Sequence, residues 1–420
     1  MKFPCLIATC LCISATHAQE GRTGISGRIV SSEDHQPVAY ASIRLVERGT
    51  GTVSNDSGAF FLWVPSASLS DTVLVSHLGF RSRRIALSAI TNEIVLEKEA
   101  VEMREVVVAD PLEIIQKAVV RIPVNYLTRP YVTKGFYRAT ARKDSVYSFL
   151  SETLFDIYNF DYADKKQSQF HLVKHREFED SVAMTDLNIG MKAEELIAAD
   201  LVHHLDDIKV FGKGGRKKYE YALQGIVDFG DRKAYEIAFD QKDGLRESLL
   251  KGIVYIDTKS YAFLYFDYDL SPKGLPYDHF PEDAAKRTLL KMFGIWVNRK
   301  QDHYRISYRP LGKKWVLSDM TEDVHWRLQL SKKDGPADVF PAVHYVVTDV
   351  DTTVNAPFAG NQTVRGNELI ENERIDGDSL FWKDYTVILP DFPEEPVIRR
   401  IKEANAANAA KAAKAAKTKR

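Results

Sequence analysis

Cysteine is nearly missing from this 420-residue chain. Only Cys5, Cys10 and Cys12 are present, and all three lie before Ile13. The long remainder carries no thiol, so disulfides, zinc-thiolate sites and a cysteine nucleophile are excluded there. An excess of charge is missing too: 57 Lys and Arg stand against 58 Asp and Glu, a formal net charge of −1. That balance supplies no basic footprint for nucleic acid and no pull towards a strongly anionic surface. Beyond the N-terminus no apolar run approaches the ~20 residues of a membrane-spanning helix.

Complete catalytic motifs are also wanting. Gly24-Ile-Ser-Gly27 is one residue short of Gly-x-Ser-x-Gly and falls in a strand-like run. Ser248-Leu-Leu-Lys251 matches Ser-x-x-Lys, but neither companion motif of that chemistry accompanies it. His279-Phe-Pro-Glu282 has the spacing of a His-x-x-Glu zinc pair, with only His303, His325 and His344 downstream as a third ligand. His203 and His204 point about 100° apart on a helix, whereas His203 and Asp207 would share a face. Asp267 with Asp269, and Asp349 with Asp351, each put two carboxylates on one strand face. No third ligand or partner acid accompanies either pair, so exposed strand faces are the better reading. Gly212 to Lys218 is glycine-rich and basic but lacks the Lys-Ser/Thr of a phosphate loop, which leaves a basic turn. The expectation is therefore no catalytic, metal-ligating or cofactor-binding residue, and no cofactor.

What is present starts with an export signal. Lys2 precedes the apolar run Leu6 to Ile13, and Thr16-His-Ala18 fits a cleavage site, so residues 1–18 read as a signal peptide. Acylation at Cys10 or Cys12 would need a small residue just before the cysteine, and Thr9 and Leu11 stand there.

Next comes a run of short β-like segments from Gly24 to Glu97. Its centre, Gly49 to Val64, places two apolar runs around Ser54-Asn-Asp-Ser-Gly58, which reads as a hairpin turn. Thr23 to Val30, Val38 to Val46, Thr72 to Ser76, Arg83 to Leu87 and Ile94 to Leu96 add further strands. Six or seven strands in so short a stretch is sandwich spacing.

Four ordered blocks in this stretch, Ile25-Ser-Gly-Arg-Ile-Val30, Pro37-Val-Ala-Tyr-Ala-Ser-Ile43, Gly51-Thr-Val-Ser-Asn-Asp-Ser-Gly-Ala-Phe60 and Asp71-Thr-Val-Leu-Val-Ser-His-Leu-Gly-Phe80, resemble the carboxypeptidase regulatory-like domain. The resemblance implies a seven-stranded, prealbumin-like β-sandwich over residues 24–97 that is itself non-catalytic. It also implies a Gram-negative envelope setting, where such modules stand in front of TonB-dependent receptors and other proteins.

Residues 100–400 read as a larger β-rich α+β domain with a few helices. Val101 to Ala109 is β-like; Asp110 caps and Pro111 opens a helix that runs to Pro123. Strands are expected at Val132 to Thr140, Val146 to Tyr158, Tyr219 to Phe229, Lys233 to Asp240, Gly252 to Tyr268, Trp296 to Tyr308, Lys314 to Trp326 and Val343 to Val350. Helices are expected at Lys192 to Leu205 and Asp283 to Phe293. Residues 161–190 show no clear period, and Leu380 to Tyr385 reads as an aromatic clamp. The Ala/Lys-rich tail, residues 403–420, reads as solvated and at most partly helical.

The overall layout resembles secreted Gram-negative proteins in which a regulatory-like module precedes a long region of unassigned activity. The strands around Gly252 to Tyr268 also resemble, more weakly, the open sheets of periplasmic lipoprotein carriers. That likeness implies an apolar cleft, expected along Tyr255, Phe263, Tyr265 and Trp296. The expected protein is exported to the periplasm or the outer-membrane periphery and binds an outer-membrane protein, a lipid or a glycan. Alternatives are an envelope hydrolase, zinc carboxypeptidase-like or carboxylate-dependent, and a small outer-membrane transport component. A full TonB-dependent barrel of ~22 strands does not fit the length left after the sandwich, and the tail to Arg420 is unlike a barrel's closing strand.

Overall fold

The computed structural model describes residues 22–46, 50–65, 70–98, 109–162, 168–181, 183, 190–205, 208, 210–212, 214–279, 283–330, 335–354, 356–370, 381–382 and 387–418. The expected signal peptide, all but the last residue of the strand expected at Val101 to Ala109, and most of the 380–385 clamp fall outside these residues.

Seven strands make two facing sheets. One has the order β4-β1-β7, from β1 (Arg22–Ser31), β4 (Ala59–Pro65) and β7 (Glu93–Leu96). The other has the order β3-β2-β5-β6, from β2 (Ser42–Leu45), β3 (Gly51–Val53), β5 (Thr72–His77) and β6 (Phe80–Ala86). Their alternating inward residues, Ile29, Ile43, Phe60, Leu62, Val73, Val75, Ile94 and Leu96, pack into one core.

The expected hairpin at Ser54 to Gly58 is not one. β3 pairs with β2 and β4 pairs with β1, so this turn carries the chain from one sheet to the other. Buried side chains build the crossing. Ser54 Oγ donates to Val38 O at 2.7 Å, and Asn55 Oδ1 accepts from Ala59 N at 2.8 Å. Gly58 sits at φ +75°, and a Cβ there would lie 2.4 Å from Ile29 O. The strand expected at Val38 to Val46 shortens to β2 because Tyr40 turns to φ +57°.

Asp110 Oδ1 accepts from Leu112 N at 2.9 Å and starts α1 (Pro111–Val120) as expected. Pro123 does not end helical structure, since it falls in the first turn of a new helix, α2 (Ile122–Asn125), where its missing N–H is tolerated.

Ten antiparallel strands then form one sheet. They are β8 (Tyr131–Lys143), β9 (Val146–Asn159), β10 (Gln169–Glu179), β11 (Tyr219–Phe229), β12 (Arg232–Gln241), β13 (Leu250–Asp257), β14 (Phe263–Leu270), β15 (Trp296–Leu311), β16 (Lys314–Gln329) and β17 (Ala337–Asp351). Their order is β10-β9-β8-β17-β16-β15-β14-β13-β12-β11. Two meanders therefore meet at one seam, where β17 pairs with β8. The helices α3 (Ala193–Ala198), α4 (Gly215–Lys218) and α5 (Ala284–Met292) interrupt the run, and Asp283 caps α5 at Lys286 N, 2.8 Å.

Two strand expectations change. Gly252 to Tyr268 is a hairpin, because Asp257 Oδ1 accepts from Lys259 N (3.0 Å) and Ser260 N (2.6 Å) and bends the chain into Tyr261 at φ +60°. Residues 161–190 contain a full edge strand, β10, whose period is broken by a bulge between Leu172 and Lys174.

The two faces of the sheet differ. Tyr137, Tyr345, Met320, Ile306, Phe266 and Val254 share one face and join the main core with α1 and the segment around α3. The next residue along each strand points the other way. Across seven strands this second row reads Arg176, Glu152, Arg138, His344, Thr321, Arg305, Asp267. The sandwich covers this polar row. Val53 packs with Phe136, Leu154, Val346, Trp382, Val387 and Ile388, while Tyr40 lies 4.2 Å from the Arg305 guanidinium. Trp382 lies in this cluster and Phe381 packs against it; the other residues of the expected 380–385 clamp lie outside the described residues.

The tail differs most from expectation. α6 (Glu394–Thr418) begins well before residue 403, and its first turns dock on β9 and β10. Ile401 is buried, Arg400 reaches Asp180 and Tyr147 O, and Asn405 accepts from Ser181 N at 3.0 Å.

Glu152 is the charged centre of the row, 1% exposed between Arg138 (2.5 Å) and Arg176, which continues to Glu394 at 2.5 Å. Burial raises its affinity for a proton, but the two guanidiniums outweigh burial and hold the carboxyl below the ordinary range. Its contribution to stability is therefore present above the ordinary glutamate pKa and lost as pH falls through the lowered one. Glu152→Gln should cost on the order of 3 kcal/mol at neutral pH and leave a shallower acid limb; urea melts across pH 3 to 7 check both.

Candidate functional site

The helix-covered face holds a cavity of about 480 Å³. Its floor is the β15–β16 hairpin, where period-two alternation aims Tyr304, Ile306, Met320, Val324 and Trp326 to one side. Met191, Ala198, Ala199, Leu201 and Ile208 close it from the α3 side. Small residues at this cover leave the space open, and most of the wall is apolar.

Three acids break that wall: Glu195 on α3, which accepts from Lys192 N at 2.8 Å, and the pair Glu322 and Asp302. Glu322 occupies the inward position between Met320 and Val324, and Asp302 stands on the adjacent strand. Tyr304 Oη donates to Glu322 Oε1 at 2.6 Å. Arg299 Nη1 donates to Asp302 Oδ2 at 2.8 Å and its Nη2 to Asp278 Oδ1 at 2.8 Å. Asp302 Oδ1 is buried with no donor among the described residues. Burial first, and the Asp302 charge second, push the Glu322 carboxyl up to about 8. The Asp302 carboxyl is raised as well, again chiefly by burial. Burial thus raises both carboxyls, Glu322 the more clearly.

The residues singled out from sequence do not assemble here. Tyr255, Phe263, Tyr265 and Trp296 do not share a cleft. Leu264 is the extra residue of a bulge between the pairs Tyr255–Tyr265 and Ile256–Phe263, and this turns Phe263 into the core against Phe211 and Phe266. Tyr255 is buried, Tyr265 faces the sandwich, and Trp296 lies beside α5. Asp267 bonds His303 at 2.8 Å, and Asp269 accepts from Asp302 N at 2.8 Å. Asp349 faces Lys134 at 4.0 Å, while Asp351 caps Thr353. His325 pairs with Asp338, and His344 is pushed down to about 3 by burial and the Arg138 and Arg305 charges. His279 is exposed, and Glu282 and Asp207 lie outside the described residues. Gly24, Ser26 and Gly27 sit in β1, Lys251 in β13, and Arg216 to Lys218 in α4. Among the described residues no three His, Cys, Asp or Glu side chains gather as a metal site.

Sequence reasoning missed Glu322. The signal was a single acid in the otherwise apolar alternation Met320, Glu322, Val324, Trp326.

Residues 25–108 match the model of the CarboxypepD_reg-like domain. No curated protein matches the chain. Among solved structures, a domain named for outer membrane lipoprotein sorting from Vibrio parahaemolyticus is 10% identical, with 58% of this chain and 93% of that chain covered and a TM-score of 0.25. A DUF1329 family protein from Desulfovibrio piger is 10% identical over 59% of this chain and 96% of that chain, with a TM-score of 0.23. Lipovitellin is 9% identical over 56% of this chain and 27% of that chain, with a TM-score of 0.25. No helix of the described residues is long and apolar enough to cross a membrane.

The Glu322 proton has a thermodynamic signature. Its folded pKa is raised, so the stability it contributes is complete below the ordinary value of 4.5 and is lost as pH rises through about 8. Glu322→Gln keeps an acceptor for Tyr304 and needs no proton. At pH 9 this variant should exceed the parent by on the order of 2 kcal/mol and show a flatter pH dependence; thermal melts from pH 5 to pH 9 read the difference.

Proposed function

We propose that this is an exported, non-catalytic cell-envelope protein whose large sheet binds an apolar ligand, with the regulatory-like sandwich as its docking or spacer module. The observation that carries the reading is the cavity of about 480 Å³ between β15–β16 and α3, a volume within the ~300–1,000 Å³ of small-molecule sites. Its wall of Met191, Leu201, Ile208, Met320, Val324 and Trp326 suits hydrocarbon. An acyl chain gains ~0.8 kcal/mol for each methylene buried. The raised Glu322 carboxyl keeps the acidic part of the wall at reduced charge, so the site is less hostile to an apolar guest near neutral pH.

Export is supported by the N-terminal sequence, with its single lysine, short apolar run and Ala18. Catalysis is not part of the reading. Glu322 and Asp302 stand on adjacent strands of one wall, and Arg299, on the same wall, is committed to Asp302 and Asp278.

The test uses N-phenyl-1-naphthylamine, a small apolar fluorophore, with the purified full chain. Saturable binding that palmitate displaces is expected. Ala198→Trp, which fills the cavity from the α3 side, should weaken it by about tenfold or more. Absence of saturable binding, or binding unchanged in Ala198→Trp, would overturn the reading.

A further inference from the structure

A second cavity, about 320 Å³, lies between the sandwich and the opposite face of the sheet. Ser42, Arg44, Leu74, His77 and Ser82 line it from the sandwich. Arg232, Tyr265, Arg305, Arg309 and Asp319 face them from the sheet.

Its charges are unevenly matched. The acids on the wall have partners of their own: Asp319 accepts from the neutral Ser307 hydroxyl and has its carboxyl raised chiefly by burial, Asp267 bonds His303, and Asp231 sits 3.7 Å from Arg84 and 3.9 Å from Arg232. Arg305 is held by Asp323, and Arg232 by Asp257. Among the described residues Arg309 makes no ion pair, although the Asp319 and Asp349 carboxylates lie close enough to favour its charge. It is only 4% exposed, and its Nη2 is buried without an acceptor among the described residues. Arg44, close enough to raise the cost of the Arg309 charge, makes no ion pair among the described residues, with Asp231 the acid that favours its charge. His77 Nδ1 and Ser82 Oγ, on the opposite wall, are likewise buried and unpartnered.

A buried guanidinium whose Nη2 has no acceptor is costly to keep unless something anionic meets it. Planar guanidinium donors fit the oxygens of a phosphate or carboxylate, and the serine hydroxyl and imidazole add neutral donors. Leu74, Leu78, Phe229 and Tyr265 give the same cavity an apolar side.

We propose that the cavity between the sandwich and the sheet is an oxyanion site. Arg309 and Arg44 grip the phosphate or carboxylate of a small organic anion, Ser82 and His77 complete the donors, and the apolar side holds the organic part. Because Arg44 belongs to the sandwich and Arg309 to the sheet, the bound anion ties the two bodies together. The site is independent of the apolar cavity on the other face.

The experiment is thermal denaturation of the full chain with phenyl phosphate, benzoate or inorganic phosphate, each at ionic strength matched with sodium chloride. A saturable rise in Tm beyond the chloride control is expected with an organic anion, and comparison of the arms identifies which oxyanion is preferred. Arg309→Met should abolish that rise while melting, without anion, no lower than the parent. Arg44→Gln, at a less buried position, should weaken half-saturation by about tenfold, the loss of one charge-assisted hydrogen bond. No rise above chloride with any of the three anions, or a rise that persists in both variants, would overturn the site.

Discussion

The structure depends on a row of polar side chains laid across the middle of a wide sheet. A single antiparallel sheet can leave one face to water, but here both faces are covered. The row Arg176, Glu152, Arg138, His344, Thr321, Arg305, Asp267 could not be sealed under an apolar cover without leaving charges unpaired. Glu152 resolves half of it by sitting between two arginines. Tyr40 resolves much of the rest, lying over Arg305 and edge-on to His344. The sandwich is therefore matched to the face it covers, and Thr52 Oγ1 adds a hydrogen bond to Val387 O at 2.7 Å.

The β15–β16 hairpin serves two environments at once. Tyr304 and Glu322 face the apolar cavity, while their neighbours Arg305 and Thr321 face the cavity under the sandwich. Strand alternation makes this unavoidable. A displacement of this hairpin relative to β14 or β17 would alter both cavities together.

Much of the architecture was readable in the chain. The seven short strands of the sandwich, Asp110 and Asp283 as helix caps, and β11, β12, β15 and β16 follow from period and turn chemistry. Where reading failed, a local feature had hidden the period. A bulge at Leu172 to Lys174 obscured β10, an Asp257-centred turn split what looked like one long strand, and the bulge at Leu264 sent Phe263 to the wrong side of the expected cleft. The Asn55 turn looked like a hairpin because its composition is that of a tight reversal. Composition does not say whether the next strand pairs with the previous one or crosses to a second sheet.

The candidate sites were far less legible. Glu322 could have been noticed as an acid at an inward position, but its partner Asp302 lies twenty residues away and meets it only through strand register. Arg44 and Arg309 are further apart still, on separate bodies. By itself the sequence determined the local elements, the thiol-free chemistry and the sandwich, because helix caps, turns and alternation act over a few neighbouring residues. Tertiary structure alone decided which charges are paired and where cavities remain, since desolvation and ion pairing depend on what the fold brings near from distant parts of the chain.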